Sequence, residues 1–268
     1  MRNVRLYGAL LRISVQDALQ NRVESSIWFL YEILPPIMMA SVWLAAYQGQ
    51  PRIAGFTLAE MLAYTVGVLI LRTVVTFHME HEIDFRIREG SLSNLLTRPL
   101  SPWAYWLVDS LGWKTFRNLL TVPVVIGCLL WFGPELLDLS VPLDRLPLLA
   151  LSLVLASAVC FLFKLCIGCT SFWTNDIVGI STVQEVVSAV LGVALIPLAL
   201  LPEPLQVLAR FLPVQAIYSV PLMILLGKGD GADPWWGIGL QLLWIVVLWG
   251  LAGLLWRAGL REYTSVGG

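Results

Sequence analysis

The chain has 268 residues, 58% of them hydrophobic and 13% charged, with a mean hydropathy of +0.79. Soluble globular domains fall well below such values, so the chain belongs in a bilayer. A net charge of −1 gives no overall attraction to nucleic acid, and the four cysteines, Cys128, Cys160, Cys166 and Cys169, sit in apolar segments as small buried residues rather than as a disulfide framework.

Residues 1–24 read as an amphipathic helix. Val4, Tyr7, Leu11, Val15 and Ala18 recur at steps of three or four, with Arg5, Arg12 and Gln16 opposite, the pattern of a helix lying in a membrane interface. A span needs about 20 apolar residues. Ile27 to Tyr47, Thr57 to Phe77, Leu146 to Gly168, Ile180 to Leu201 and Trp236 to Trp256 meet that length, and Thr115 to Gly133 is slightly shorter but passes. Pro35-Pro36, Pro123 and Pro197 are expected to bend their helices. Within the 202–235 segment, residues 205–227 are also apolar, but Arg210, Pro213, Gln215 and Pro221, with Pro202 and Pro204 ahead of them, break them up. They read as a re-entrant pair of short helices dipping in from the outer face, before the turn "GKGDGADPWW".

Six spans put both termini on one side, and that side collects eleven of the lysines and arginines against four on the other. By the positive-inside rule the termini, including the 257–268 tail, and the 78–114 loop are cytoplasmic. The predicted fold is therefore an all-α integral membrane domain of six helices. It has an interfacial amino-terminal helix, a cytoplasmic hairpin after the second span and an outer re-entrant hairpin before the sixth.

The 78–114 region holds both histidines of the chain. Glu82 with Arg86 and Asp84 with Arg88 are acid-before-base pairs four residues apart, so the second span is expected to run on as a helix into the cytoplasm. Gly90 is a natural left-handed cap for its end. Ser91 can cap a short helix bearing Leu92, Leu95 and Leu96, which Arg98-Pro99 ends, and Pro102 after Ser101 opens a third helix with Trp103 and Trp106 suited to the interface. His78, His81 and Glu82 fall on one face of such a helix, but the spacing is not HExxH and no other carboxylate is placed to act on a bound water. No metal site is expected, and an intramembrane metallohydrolase is a remote alternative. Neither GxSxG nor GxxxxGK[ST] occurs, so the chain has no motif for hydrolysing a nucleotide by itself.

The interfacial helix, the six spans, the hairpin "IREGSLSNLLTRPLS" and the Pro-rich "LPEPLQVLARFLPVQAIYSVP" before the last span together resemble the type-2 ABC exporter permeases. That resemblance implies a membrane subunit, not itself an enzyme, that pairs with a second permease chain, identical or paralogous, and is driven by separate ABC ATPase subunits. ATP and Mg then sit on the partner ATPase, and this chain needs no cofactor. It further implies that Arg86 to Pro99 docks in a groove of the ATPase, with Leu92, Leu95 and Leu96 as apolar anchors. Arg86, Arg88, Glu89 and Arg98 would set the register around Gly90 and Pro99, and "TSFWTNDIVGIST" would make a smaller second contact. The expected location is the bacterial cytoplasmic membrane.

Four ionisable side chains lie at similar depth near the inner ends of spans: Glu32, Arg72, Lys164 and Glu185. Either the two bases snorkel to the interface, or Glu32 with Arg72 and Lys164 with Glu185 line an inward-facing vestibule. The rest of the spans offers little polarity, which suits an amphiphilic or lipid-like substrate. The competing class is an ion- or proton-coupled secondary transporter or channel that uses this charge belt as its relay.

Overall fold

The computed structural model describes residues 2–133, 143–191, 197–227 and 234–263. Among them every regular element is helical, and the only β-type pairing is an isolated bridge between Ile53 and Phe56. Helix α1 is Arg2–Gln20 and α2 is Arg22–Ala46, which continues through Pro35 and Pro36. Among the described side chains of α1, Ser14 and Ala18 are the buried ones, whereas Leu11 and Ile13 are exposed, so its inward face is rotated from the one the apolar spacing suggests. The reason is a close helix crossing. A Cβ on Gly112 of α6 (Pro102–Trp131) would stand 2.4 Å from the Ser14 Cβ, and the Ser14 hydroxyl lies 2.6 Å from Asp109 Oδ1.

Helix α3, Leu58–Val75, is the central element, starting at a capping box in which Thr57 and Glu60 bond reciprocally to each other's backbone N–H. Ahead of it the Tyr47 hydroxyl donates to the Phe56 carbonyl across a turn whose Ala54 and Gly55 have φ of 48° and 83°. The helix was expected to run on past Phe77, but it ends at Val75. Thr76 is extended, and helix resumes only in α4, Glu80–Arg88. Gly90, with φ of 69°, ends that turn as the sequence suggests, and α5 follows at Leu92–Leu96. Ser91 does not cap it through its side chain; Ser93 Oγ bonds the Gly90 carbonyl instead.

The second half comprises α7, Leu146–Cys169; α8, Ile177–Leu191; α9, Glu203–Arg210; α10, Val220–Leu225; and α11, Pro234–Glu262. Among the described residues three helical units, Leu58–Arg88, Leu146–Phe172 and Pro234–Glu262, are long and apolar enough to cross a membrane. A fourth qualifies if the bent pair Glu203–Arg210 and Gln215–Leu226, which turns by 86°, counts as one. Of the expected fifth span, Ile180 to Leu201, the described part of α8 covers the positions up to Leu191. Of the remaining stretch, 192–196 lie outside the described residues, as does most of the expected outer turn, 228–233.

The second arm of the bent pair is shaped by proline. Pro221 has no N–H to give the carbonyl four residues back, and the turn ahead of it, Gln215–Ser219, widens to π-helix. Two buried glutamines secure the widened backbone. Gln215 donates to the Leu191 carbonyl at 2.6 Å, and Gln241 donates to the carbonyls of Ser152 and Ala216 at 3.1 and 2.9 Å. These bonds tie the pair to the end of α8 and to α7 and α11, keeping loosened backbone covered by protein.

Candidate functional site

The break between α3 and α4 gathers the buried charges. Ending α3 at Val75 frees carbonyls that a continuing helix would have used, and Lys114 of α6 takes two of them. Its ammonium donates to the carbonyls of Val74 and Val75 at 3.0 and 3.1 Å and lies 3.3 Å from the centroid of the Phe77 ring. A cation at a helix C-terminus meets the negative end of the dipole, and the ring face adds cation–π attraction, which together allow this lysine to be only 5% exposed. Phe77 stacks edge-on against Phe161 of α7 at 5.4 Å, and the Thr76 and Tyr218 hydroxyls are 3.3 Å apart. By charge alone Lys114 counts as one more cytoplasmic cation; its role follows from the helix end, which periodicity does not reveal.

Glu80 opens α4 and forms a very short ion pair with Lys164 of α7; their side chains are 0% and 3% exposed. Lys164 therefore pairs with Glu80, not with Glu185 as the inner belt suggested. The sequence concealed this because Glu80 falls in a charged stretch that looked solvated. Glu185, half-buried on α8, is nonetheless close: one ligand atom from each of His78, Glu80 and Glu185 lies within 4.8 Å of the others. The second Glu80 oxygen, Oε2, is buried and has no hydrogen-bond partner. His78 lies in the linker ahead of α4, so it does not share a helix face with His81 and Glu82, and Glu82 is engaged by Arg86. Arg72 is half-buried on α3, while the Glu32 side chain lies outside the described residues.

Beyond the break the hairpin is stapled on three sides. Arg86 donates to Glu82 at 2.7 Å and to the Tyr105 hydroxyl of α6 at 2.8 Å. Arg88 bonds Asp84 at 2.8 Å and, very closely, the Asn175 carbonyl after α7, so both acid-before-base pairs form as the spacing suggests. The Tyr263 hydroxyl, just past α11, donates to the Gly90 carbonyl at 2.7 Å and accepts from Ser93 N at 3.3 Å. Burial pushes the Glu82 carboxyl up, with Asp109 adding to the effect against the opposing pull of Arg86; burial also raises Asp109. Tyr105 is pushed up to about 12, first by burial and then by Glu82, and so keeps its proton.

The apolar tip differs from expectation. Leu92 and Leu95 are 0% and 1% exposed and belong to the core with Ile83, whose side chain would lie 2.6 Å from a Cβ on Gly168. Trp106 is likewise buried, edge-on to Trp256 at 5.5 Å, rather than interfacial. Leu96 and Phe85 are exposed at 39% and 58%, and Trp173, on the turn that Arg88 holds through Asn175, at 50%. Arg88, Glu89, Arg98 and Pro99 are exposed around them, and Gly90 is buried. Phe85 is thus the tip residue that the leucine spacing passed over, and Trp173 falls in the segment expected to make the smaller second contact.

No curated protein sequence matches the chain. Residues 33–267, from within α2 past the end of α11, match the family described as ABC-2 family transporter protein. The chain therefore belongs to the ABC-2 transporter family, as a type-2 ABC transporter permease.

Proposed function

We propose that this chain is the membrane-spanning subunit of an ATP-driven exporter. In this reading it crosses a bacterial cytoplasmic membrane six times with both termini inside. It pairs with a second permease chain and is driven by separate ATPase subunits that bind the ATP and Mg. Permeases of this family partner with ABC ATPases, which supports the general arrangement. The observation that carries the reading for this chain is the hairpin. Phe85, Leu96 and Trp173 stand out among Arg88, Glu89 and Arg98 on a platform braced by Arg86–Tyr105, Arg88–Asn175 and Tyr263–Gly90. Apolar anchors ringed by charges suit a protein groove.

Movement of the ATPases would press on α4. Because 76–79 interrupts the Leu58–Arg88 unit, the push need not travel along its axis alone. It also passes sideways: through Ile83 against Gly168 and Glu80 against Lys164 into α7, and through Tyr263 into α11. The spans are apolar, and α7 and α11 have only 33% and 22% of their most apolar windows buried within this chain. Much of their surface is therefore left for lipid, a second permease chain and an amphiphilic or lipid-like substrate.

The test is capture of the ATPase on the tagged chain. Phe85→Ser with Leu96→Ser should release it while leaving thermal stability unchanged, since both residues are exposed. Retention of the ATPase by that double variant overturns the assignment of the tip. In parallel, Asn94→Cys in a chain lacking the four native cysteines should be labelled from the cytoplasmic side only; labelling from outside overturns the orientation.

A further inference from the structure

We propose that His78, Glu80 and Glu185 form a binding site for a divalent transition-metal cation, with Zn²⁺ the best fit, where the α3–α4 linker, the start of α4 and α8 meet. Their ligand atoms already lie within 4.8 Å of one another. A tetrahedral zinc with bonds of about 2.1 Å spaces its ligands about 3.4 Å apart, so the groups must close by little more than an ångström. His78 is exposed and Glu185 half-buried.

The strongest sign is Glu80 itself. One of its oxygens takes Lys164, while the other, Oε2, is buried with no partner, an expensive state for a carboxylate oxygen unless something binds there. A ligating carboxylate whose second oxygen is held by an outer residue is the usual construction of a metal centre, and Lys164 would be that outer residue. One imidazole with two carboxylates suits zinc or its first-row neighbours better than magnesium or calcium, which prefer oxygen alone. Three protein ligands leave a fourth position for water. The exposed side of the site, at His78, is where the ion and that water would reach it. Bound there, the ion would clamp α8 to the joint between α3 and α4, a role independent of any ATPase.

The experiment uses the full chain purified in lipid nanodiscs, stripped with chelator and titrated with ZnCl₂ alone, reading bound zinc by elemental analysis and stability by tryptophan fluorescence. The expected result is one tightly bound zinc per chain and a melting temperature raised by several degrees at saturation. His78→Ala and Glu185→Gln should each weaken binding at least tenfold and abolish the rise. His81→Ala should leave both unchanged. Both diagnostic substitutions spare the Glu80–Lys164 pair, so folding is preserved. Cobalt in place of zinc should give the intense visible absorption of a tetrahedral site, lost in the same variants. Zinc binding that survives the combined His78→Ala and Glu185→Gln substitutions, or that depends on His81, overturns the proposal, as does the absence of stoichiometric binding.

Discussion

Lys164→Met tests the most buried ion pair among the described residues. Lys164 and Glu80 have side chains 3% and 0% exposed, and the other Glu80 oxygen already lacks a hydrogen bond. Removing the lysine strands a desolvated carboxylate, a loss of about 3–5 kcal/mol for a buried pair broken on one side. For a chain of 268 residues, each kilocalorie moves the melting temperature by about 2–4 °C, so the drop should be about 6–20 °C. Tryptophan fluorescence of the purified protein reads it directly, since the chain carries 12 tryptophans. Glu80→Leu in the same background removes both charges and leaves two apolar side chains of similar bulk, a replacement that is often neutral. The double variant should therefore recover most of the loss, with a coupling energy of about 2–3 kcal/mol. If Lys164→Met costs less than about 1 kcal/mol, or if the double variant loses the sum of the two singles, the pair is not the joint described here.

Leu95→Ala empties a fully buried position and should cost about 2–5 kcal/mol, whereas Leu96→Ala should stay within about 0.5 kcal/mol; equal losses in urea unfolding contradict their assigned orientations. Tyr263→Phe removes the hydroxyl bonded to Gly90 and Ser93 and should cost about 1 kcal/mol, read as faster amide exchange across 90–96; unchanged exchange refutes the staple. Burial raises the Glu82 and Asp109 carboxyls, so the folded chain holds those protons more tightly than the unfolded one. Their stabilising contribution is complete below the ordinary carboxylate range and fades as pH climbs through the raised values. The melting temperature of the wild type, measured against Glu82→Gln with Asp109→Asn, should therefore gain as pH falls from about 7 to about 5, and a constant difference refutes the cause.

The helices were legible wherever one physical rule governed a stretch. Long apolar runs gave α3, α7 and α11, Ser101-Pro102 marked the start of α6, and Gly90 marked the left-handed end of α4. The four-residue acid-to-base spacing gave both hairpin ion pairs. What stayed hidden depended on partners far along the chain. Lys114 closes the end of a helix some forty positions away, Glu80 looks solvated until α7 brings Lys164 to it, and Leu92 turns inward because a hairpin only one short helix deep must lean on the core. The turn of α1 comes from Gly112, which lets Ser14 approach and so overrides the apolar spacing. Family membership was legible from the order of the spans together with the hairpin and Pro-rich motifs, which both lie within the matched residues 33–267.

An interrupted helix bends where it is interrupted unless its neighbours hold it, and here the neighbours do so with polar side chains rather than with packing alone. Thr76, Phe77 and Met79 are all buried although none is helical, and the freed carbonyls of α3 rest on the Lys114 ammonium. Hydrogen bonds and ion pairs of this kind hold one geometry firmly, yet they can be exchanged for another set without unpacking a core. Close-packed apolar contacts resist any change of volume. A joint made this way favours two discrete arrangements over gradual bending, which is what a transporter driven in strokes needs. In the proposed exporter, the element that would convert pressure on the hairpin into movement of the spans is the four-residue break at 76–79 with its lysine and glutamate partners. Substitutions there should alter how tightly ATP turnover and transport are linked, even where each proceeds.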